Sequence, residues 1–345
     1  MKALRFYGSK DLRVEDVAAP KICGPRQLIV KVAWCGICGT DLHEYTTGPI
    51  FMPRQQILGH EFSGTVVEVG SELKDYREGD RVAVQPLLTP GDDYYSVRGL
   101  GHLSELSAFV GIRNWAWGGM GEYAVLNDYN VFKLPDSVSD EQGALVEPAA
   151  VTLYAVDNSG LQAGNTVLIS GAGTIGALTV LSVNAAGASQ IFVAEPNPAR
   201  RKFIESWGLC AGVFDPITED VPARIREQTT VGVDVAIECA GNENSLAACL
   251  HSVRRQGTVV QVGLPTAACN IDLQLLVIKD VTLRGSFCYP IYSWPRVIGL
   301  IAAGKLPVEK TISSRVSLDA AVPDGFEVLT APETDRLKIL IQPAA

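Results

Sequence analysis

Three short segments in the N-terminal part of the chain carry side chains that could hold a metal ion. Cys35–His43 reads Cys-Gly-Ile-Cys-Gly-Thr-Asp-Leu-His, Gly59–Glu61 reads Gly-His-Glu, and Leu145–Pro148 reads Leu-Val-Glu-Pro. A thiolate, an imidazole and a carboxylate are ligands that zinc accepts, and a site with three protein ligands keeps one position open for water or substrate. Because an open zinc site polarises oxygen atoms, these residue types indicate Lewis-acid chemistry.

Each segment taken alone also has an ordinary explanation. Cys35 and Cys38 could form a redox pair, His60 could be a hydrogen-bonded core histidine, and Glu61 could lie on a solvated face. The prediction of a metal site therefore depends on the occurrence of all the segments in one chain.

A glycine-rich turn further along the chain predicts a dinucleotide site. Val167–Gly176 reads Val-Leu-Ile-Ser-Gly-Ala-Gly-Thr-Ile-Gly, so the pattern Gly-x-Gly-x-x-Gly follows a strand-like run and opens a helical segment that ends near Ala186. Gly171 permits a tight turn, Gly173 lets backbone N–H groups approach a pyrophosphate, and Gly176 allows the helix to pack closely on the strand. The helix N-terminus adds a partial positive charge.

An acidic residue stands where such a site needs one. The strand-like run Ile191–Ala194 ends at Glu195, about 20 residues after the last glycine, where a carboxylate can accept hydrogen bonds from ribose hydroxyls. The same charge repels a 2′-phosphate and favours NAD over NADP, while Arg200 and Arg201 leave NADP as the alternative. A glycine-rich turn that binds no nucleotide is the other alternative. The predicted cofactor-binding residues are Gly171, Gly173, Thr174, Ile175, Gly176, Glu195 and Arg200.

The elements that would position these residues fall into two patterns. Up to about residue 149, short β-like runs separated by Gly, Pro and Asp predict a compact, mostly antiparallel β domain. From about 150 to 285, alternating strand-like and helical segments predict a parallel sheet covered on both faces. The strands predicted in the two parts are Gln27–Ala33, Gly64–Gly70 and Arg81–Val84, then Thr166–Ile169, Ile191–Ala194, Val233–Ile237, Thr258–Val262 and Val281–Leu283.

The C-terminal segment is predicted to rejoin the first domain. It offers a helix near Trp294–Ala303 and then strand-like runs that end at Lys338–Ile341. These runs resemble the first β pattern more than the strand and helix alternation that precedes them.

Composition excludes several classes of partner. The 345 residues include 29 Lys and Arg against 38 Asp and Glu, which gives a net charge of −9, so no nucleic-acid partner is expected. The N-terminus lacks a signal-peptide pattern, and no apolar run reaches the roughly 18 residues of a membrane span, so we expect a cytoplasmic protein without a membrane partner. Eight scattered cysteines favour reduced thiols.

In this order the segments resemble the zinc-dependent medium-chain alcohol dehydrogenase family, particularly its polyol branch of sorbitol and 2,3-butanediol dehydrogenases. The similarity runs from Lys2–Arg5 through Gly79–Val82 to Arg284–Ser286. It implies an α/β fold in which residues 150–285 form a Rossmann doubly wound parallel sheet and residues 1–149 and 286–345 form a mostly β, GroES-like catalytic domain. It also implies an oxidoreductase that transfers a hydride between NAD(H) and a secondary alcohol or vicinal diol.

The resemblance assigns ligands to the metal site. It implies that Cys38, His60 and Glu61 bind one catalytic zinc ion, with Glu147 as a fourth ligand or as one that alternates with water. Cys35 matches a family position that does not coordinate.

The resemblance also assigns a proton path and a region of substrate contact. Thr40 matches the hydroxyl that relays the substrate proton, and His43 matches the imidazole that passes it to solvent. Aromatic residues in segments that border the cleft of relatives could contact substrate, although core packing explains them equally well. They are Tyr45, Phe51, Trp115, Trp117, Phe287 and Tyr289.

One segment departs from the family pattern. Where many relatives carry four cysteines of a structural zinc site, this chain has Pro90, Asp93, Ser96 and Ser104. No structural zinc is therefore expected, and residues 88–105 are predicted to form a solvated polar loop. The segment from Phe51 also looks short beside butanediol dehydrogenases, which leaves a sugar alcohol or a larger ketone as alternative substrates.

Two alternative functions are compatible with the sequence, and an oligomeric assembly is expected. The chain could be a non-catalytic nucleotide-binding protein, or a zinc-free NADPH quinone or enone reductase on the same fold. In relatives the last strand of the nucleotide domain, around Val281–Phe287, pairs with its copy in a second subunit, so a homodimer or homotetramer is expected.

Overall fold

The computed structural model describes residues 1–344, and their contacts divide the chain into two compact units. The β-rich unit contains Met1–Pro148 and the segment from Pro290 to the C-terminus, and the parallel-sheet unit is Ala149–Tyr289. The domain boundaries derived from the sequence, 149/150 and 285/286, stay a prediction. Among the described residues, no helix is both long and apolar enough to cross a membrane.

The β-rich unit begins with ten strands and one helix that precedes the fourth of them. The helix is α1 (Gly39–Thr47), and the strands are β1 (Lys2–Gly8), β2 (Asp11–Asp16), β3 (Gln27–Gly36), β4 (Gln56–Ile57), β5 (Glu61–Val69), β6 (Arg81–Val84), β7 (Leu87–Leu88), β8 (Ala108–Phe109), β9 (Tyr123–Asn127) and β10 (Val131–Lys133). Two helices, α2 (Asp140–Ala144) and α3 (Val146–Ser159), follow β10.

The parallel-sheet unit alternates strands and helices. Its strands are β11 (Thr166–Ser170), β12 (Gln190–Ala194), β13 (Gly212–Phe214), β14 (Val233–Glu238), β15 (Val253–Gln261) and β16 (Thr282–Gly285). Its remaining helices are α4 (Thr174–Ala185), α5 (Pro198–Glu205), α6 (Val221–Thr229), α7 (Glu243–Ser252) and α8 (Leu273–Lys279).

The C-terminal segment returns to the β-rich unit, as predicted. It forms α9 (Ser293–Ala302), β17 (Ile312–Ser317), a π-helical turn at Ala321–Phe326, α10 (Glu327–Thr330) and β18 (Lys338–Gln342). The main sheet of the unit has the order β10-β6-β5-β3-β18-β17, and β9 also pairs with β3. The last two strands therefore complete a sheet that the first part of the chain begins.

The burial pattern explains why β3 forms the centre of this sheet. Leu28, Val30 and Val32 are fully buried and contribute to the main core, whereas Lys31 between them is exposed. Ile29 is also buried, so one face of β3 packs fully on the core and the other face is partly covered. The neighbouring strands are antiparallel to β3, which confirms the predicted mostly antiparallel domain.

The second sheet is parallel throughout, with the order β13-β12-β11-β14-β15-β16. Its central strands are continuously apolar, and Val167, Leu168 and Ile169 have no exposed surface, because helices cover both faces of such a sheet. Strands β11 and β14 are neighbours although two strands separate them along the chain. The predicted α/β fold class, a doubly wound sheet with a mostly β second unit, is confirmed.

Sequence reasoning missed two features of the parallel sheet. Strand β13 was not predicted, because three residues beginning with glycine give no periodic signal. Strand β15 was predicted to start at Thr258 and starts at Val253, because the polar run Arg254–Gly257 hides the continuation of the strand.

The prediction of a solvated polar loop at residues 88–105 is partly wrong. The segment contains two short 3-10 helices at Ser96–Arg98 and Gly101–Leu103, and His102 is buried. The Asp93 carboxylate accepts hydrogen bonds from the backbone N–H groups of Tyr95 and Ser96 and from the Ser96 hydroxyl. Hydrogen bonds to the Asp93 carboxylate thus hold the first turn of this segment.

Candidate functional site

Strand register assembles the candidate metal centre. The carboxyl end of β3 lies between the amino ends of β5 and β18, and Gly36 pairs with Glu61. A Cβ atom at Gly36 would lie 2.2 Å from Glu61 Oε2, so a side chain at this position would displace the Glu61 carboxylate. Cys38 lies just beyond β3, His60 directly precedes β5, and Lys338 is the first residue of β18.

Three of the predicted ligands meet at this point. One ligand atom from each of Cys38, His60 and Glu61 lies within 4.8 Å of the other two. His60 and Glu61 are buried and Cys38 is half-buried, so the cluster is accessible from one side. A thiolate, an imidazole and a carboxylate together form a donor set that fits zinc.

The Asp41 carboxylate faces the His60 imidazole across a short gap. Its Oδ2 accepts a hydrogen bond of 3.0 Å from the Cys38 backbone N–H at the start of α1, and its Oδ1 lies 3.8 Å from His60 Nδ1. Both facing atoms are buried without a hydrogen-bond partner. Burial raises the pKa of Asp41 to about 6. An imidazole whose Nδ1 faces a carboxylate presents Nε2 to a metal ion.

The electrostatics of the cluster favour a cation. Burial by itself lowers the pKa of His60, but the charges of Cys38 and Asp41 outweigh it and hold the pKa well above its usual value. The surrounding donors therefore create a negative potential at the imidazole. A divalent ion in contact with these donors would satisfy the same potential.

Lys338 is part of the site and was missed by sequence reasoning. Its Nζ lies 2.5 Å from Glu61 Oε2 and donates a hydrogen bond of 2.8 Å to the Ile37 carbonyl. The side chain is only 1% exposed. Burial lowers the pKa of Lys338, but the charge of Glu61 raises it by more, so the pKa lies above its usual value. The only signal in the sequence was a lysine at the start of an otherwise apolar strand.

Glu147 lies near the cluster but outside it. It is buried near the start of α3, and its charge contributes to the raised pKa values of His60 and Lys338. It is not among the residues whose ligand atoms lie within 4.8 Å of one another. Its predicted role as a fourth or alternating ligand stays a prediction.

The two residues of the predicted proton path lie on α1, the helix that begins beside the cluster. Thr40 is half-buried and His43 is exposed. Residues three apart lie on the same side of a helix, and the exposure of the two side chains increases away from Cys38. Their roles stay predictions as well.

The structure also tests the interpretations of Glu61 and Cys35 that involve no metal ion. Glu61 is 1% exposed, so the solvated-face interpretation is wrong. Cys35 is fully buried, and this burial raises the pKa of its thiol well above the usual value, which favours a neutral, non-ligating side chain. Cys35 and Cys38 are both free thiols and form no disulfide with each other.

Only part of the aromatic group is available to a substrate. Tyr45 is buried against Phe326, with ring centroids 5.4 Å apart, and Tyr289 is also buried. For these two the core-packing explanation holds. Trp115 and Trp117 pack against the core as partly buried residues. Phe51 and Phe287 are about half exposed, at 49% and 52%.

The glycine turn has the geometry that a pyrophosphate needs. Gly171 follows β11 with a φ of +95°, and a Cβ at Gly176 would lie 1.8 Å from the Gly171 carbonyl oxygen. Gly173 caps α4 and has open space where a side chain would be. Thr174 and Ile175 form the first turn of α4, so the helix N-terminus, with its partial positive charge, begins beside this open space.

A cavity of about 560 Å³ lies against this turn within the parallel-sheet unit. Gly171, Gly173, Glu195 and Arg200 line it. The Glu195 oxygens accept hydrogen bonds from the backbone N–H groups of Ala172 and Asn197, at 2.6 and 2.8 Å. Because a carboxylate has about four acceptor positions, ribose hydroxyls could still donate to it. The residues present therefore fit a dinucleotide.

Two further walls of the cavity were missed. They come from the loop after β13 with the start of α6, and from the loop after β14 with the first part of α7. The cavity-lining residues there are Pro216, Ile217, Glu219, Asp220, Val221, Pro222, Cys239, Ala240, Asn242, Asn244, Ser245 and Ala248. The loop after β14 could have been found from its position. It follows the strand next to β11, at the point where the strand order of the sheet reverses, and ligands bind at such points.

Comparisons with known proteins agree with this geometry. The family model described as alcohol dehydrogenase GroES-like domain matches residues 24–136, and the model described as zinc-binding dehydrogenase matches residues 174–303. (R,R)-butanediol dehydrogenase from Bacillus subtilis is 39% identical over 99% of this chain and 100% of its own length.

Solved structures show the same fold over the full length. The crystal structure of 2R,3R-butanediol dehydrogenase from Bacillus subtilis superposes with a TM-score of 0.93 at 39% identity and covers 99% of both chains. A zinc-binding dehydrogenase from Sinorhizobium meliloti, bound to NADP, superposes with a TM-score of 0.91 at 34% identity and covers 99% of both chains.

The fold and the donor cluster define a zinc-binding dehydrogenase. The chain belongs to the zinc-dependent medium-chain alcohol dehydrogenase family, in its butanediol and polyol branch. It is an alcohol-oxidising enzyme that uses zinc and a nicotinamide cofactor.

Replacing Lys338 tests the charge balance of the cluster. We expect Lys338→Met to lower the free energy of unfolding by about 3–5 kcal/mol, because it leaves the buried Glu61 carboxylate without its cation. Urea unfolding in the presence of a chelator measures this without a contribution from bound metal.

The double variant Glu61→Gln/Lys338→Met is the matched control. It removes both charges, so it should be more stable than the single Lys338→Met variant. Equal destabilisation in the two variants would show that the two charges are not coupled.

Proposed function

We propose that the chain catalyses reversible hydride transfer between NAD(H) and a secondary alcohol or vicinal diol at a zinc ion. The observation that carries the proposal is the convergence of Cys38, His60 and Glu61 donor atoms within 4.8 Å. The butanediol dehydrogenase relative, which this chain matches over its full length, supports a small diol as the substrate. A sugar alcohol or a larger ketone is the nearest alternative.

The proposed ligands are Cys38, His60 and Glu61, with Glu147 as a fourth ligand or one that exchanges with water. Zinc held there would act as a Lewis acid that lowers the pKa of an alcohol hydroxyl, and a bound nicotinamide would accept the hydride. Lys338 offsets the charge of Glu61 through one carboxylate oxygen. Glu61 then keeps its other oxygen for the metal.

Thr40 and His43 are the proposed proton path. The Thr40 hydroxyl takes the proton of the substrate alcohol, and His43 passes it to solvent. The half-buried position of Thr40 and the exposed position of His43 on one helix support this direction of transfer, because a relay must connect a sheltered site with water.

Glu195 is the proposed determinant of cofactor choice. Its carboxylate lines the cavity beside the glycine turn, where it can accept hydrogen bonds from the ribose hydroxyls of NAD and repel the 2′-phosphate of NADP. Arg200 lines the same cavity and would contribute a favourable interaction with either cofactor, since both carry a pyrophosphate.

A homodimer or homotetramer is the proposed assembly. Within residues 1–344, no strand pairs with the outer edge of β16. The strand itself is not strongly apolar, but large apolar residues are exposed on the preceding helix. Leu273 and Val277 of α8 are 68% and 79% exposed. An open sheet edge beside such a surface supports pairing with a second copy.

A substrate panel with metal analysis tests the proposed function. We expect about one zinc ion per chain and NAD-dependent oxidation of diols or secondary alcohols, measured as NADH absorbance. A chelator should abolish the activity and added zinc should restore it. Chelator-resistant, NADPH-dependent reduction of quinones or enones would favour the zinc-free reductase, and nucleotide binding without turnover would favour a binding protein.

Replacing Thr40 tests the proton path. We expect Thr40→Val to lower kcat by about 100-fold or more, because the substrate proton loses its acceptor, while the zinc content stays unchanged. Thr46→Val is the control, since the Thr46 hydroxyl is exposed on the same helix and donates to the Leu42 carbonyl. A Thr40→Val enzyme with normal kcat would eliminate the hydroxyl relay.

Replacing Glu195 tests the cofactor assignment. We expect Glu195→Gln to raise the ratio of kcat/KM for NADP to that for NAD by roughly tenfold, because one repulsive charge is removed from the 2′-phosphate. Glu219→Gln removes a charge elsewhere on the cavity wall and should change the ratio much less. The assignment to Glu195 is wrong if both variants shift the ratio equally.

A further inference from the structure

A buried carboxylate outside the cavity links two of the loops that surround the glycine turn. Glu238 is the last residue of β14 and has no exposed surface. It pairs with Ser170 of β11, directly before the glycine turn, at the point where the strand order of the sheet reverses. Neither the metal chemistry nor the glycine turn accounts for a carboxylate here.

Donors from three directions surround the Glu238 side chain. Oε1 accepts hydrogen bonds from the backbone N–H groups of Ala240 and Gly241, at 2.7 and 2.8 Å, and from the Ser245 hydroxyl. Oε2 accepts from Gly241 N–H at 3.1 Å and from Gln261 Nε2. A buried carboxylate is tolerated because donors compensate its lost hydration.

The same residue reaches the loop after β15. Its carbonyl oxygen accepts hydrogen bonds from the backbone N–H groups of Val262 and Gly263, at 2.9 and 3.0 Å. A Cβ at Gly263 would lie 2.6 Å from Glu238 Oε2 and 2.3 Å from the Gly241 nitrogen. The two loops are therefore in close contact, with the carboxylate between them.

The loop that Glu238 holds is a wall of the nucleotide cavity. Ala240, Asn242 and Ser245 line the cavity, whereas Glu238 does not. A Cβ at Gly171 would lie 2.9 Å from the Ala240 Cβ, so this loop packs directly against the glycine turn. A shift of Ala240 by a fraction of an ångström would change the space available to a pyrophosphate.

We propose that Glu238 is a positioning residue for the dinucleotide, holding residues 239–245 against the glycine turn in the shape that accepts the cofactor. The inference rests on the proposed nucleotide site and deepens it. Glu238 acts through its hydrogen bonds to the loop and does not touch the cofactor.

The site requires a carboxylate and does not accept an amide. Donors approach both oxygens of Glu238, so the NH₂ group of a glutamine would face N–H or O–H donors at one of them. Gln261 cannot compensate by rotating its amide, because Nε2 also donates to the Gly263 carbonyl at 2.7 Å. A rotated amide would place two oxygens against each other.

The test measures NADH binding to zinc-loaded Glu238→Gln by fluorescence titration, together with hydrogen exchange of the amides. We expect NADH to bind at least about tenfold more weakly, since the loop is left with a buried donor that has no acceptor and no longer keeps its shape. KM for NAD should rise by a similar factor, with zinc content and the KM for the alcohol unchanged. Exchange should accelerate at residues 239–245 and stay slow in the central strands.

Glu243→Gln is the matched control. It makes the same chemical change at an exposed carboxylate on α7 that hydrogen-bonds to Asn270 and does not line the cavity. It should bind NADH as the wild type does.

Two results would overturn the inference. One is NADH binding by Glu238→Gln within twofold of the wild type. The other is faster exchange throughout the parallel sheet, which would mean that Glu238 stabilises the whole unit and not one loop. Wild-type protein that binds neither NADH nor NADPH would refute the nucleotide site itself, and this inference with it.

A milder variant keeps the test decisive if Glu238→Gln does not fold. Gln261→Met removes one donor from Oε2 and leaves the carboxylate bound to the loop after β14. We expect about threefold weaker NADH binding and faster exchange at Gly241. Unchanged binding in Gln261→Met would count against the inference.

Discussion

The close approach of β3 to β5 is the constraint on which the metal centre depends. Gly36 lies against the Glu61 carboxylate with no room for a side chain, and this contact brings the end of one strand to the start of another. Cys38, His60 and Glu61 then converge although the first is more than twenty residues from the others. Antiparallel pairing explains the convergence, because it places the carboxyl end of one strand beside the amino end of the next.

Burying the charged and polar side chains of the metal centre costs free energy, because they lose their hydration. Charged and hydrogen-bonding partners within the protein offset this cost. Lys338 neutralises Glu61, and Asp41 accepts a hydrogen bond from the Cys38 backbone while its other oxygen faces His60. The potential that remains is negative, as the raised pKa of His60 shows. The protein is therefore organised to receive a cation, and a bound divalent ion completes the set of charges.

In the parallel-sheet unit, too, a glycine lies in close contact with a neighbouring segment where two strands meet. Here Gly171 lies against Ala240, and the carboxyl ends of β11 and β14 meet at one edge because the strands are parallel. Gly171, Gly173 and a carboxylate, Glu195, line the resulting cavity. In both units a glycine permits a close backbone approach and a buried carboxylate, Glu61 or Glu238, takes part in the network behind it.

The sequence by itself determined the fold class, the main strands along the chain, the glycine turn and the segments that contain the donor residues. These features depend on local signals, since periodicity and turn residues are readable within a short window. The resemblance to a known family added the ligand roles, which spacing alone left open. Strand β13 and the polar start of β15 gave no such signal.

Only the tertiary structure decided which distant residues complete the sites. Lys338 reaches Glu61 from almost 280 positions away, and Glu238 connects loops that follow different strands. Tyr45 and Phe51 lie close together in the chain, yet one is in the core and the other is half exposed. Such outcomes depend on strand register and packing, which no short window of sequence specifies.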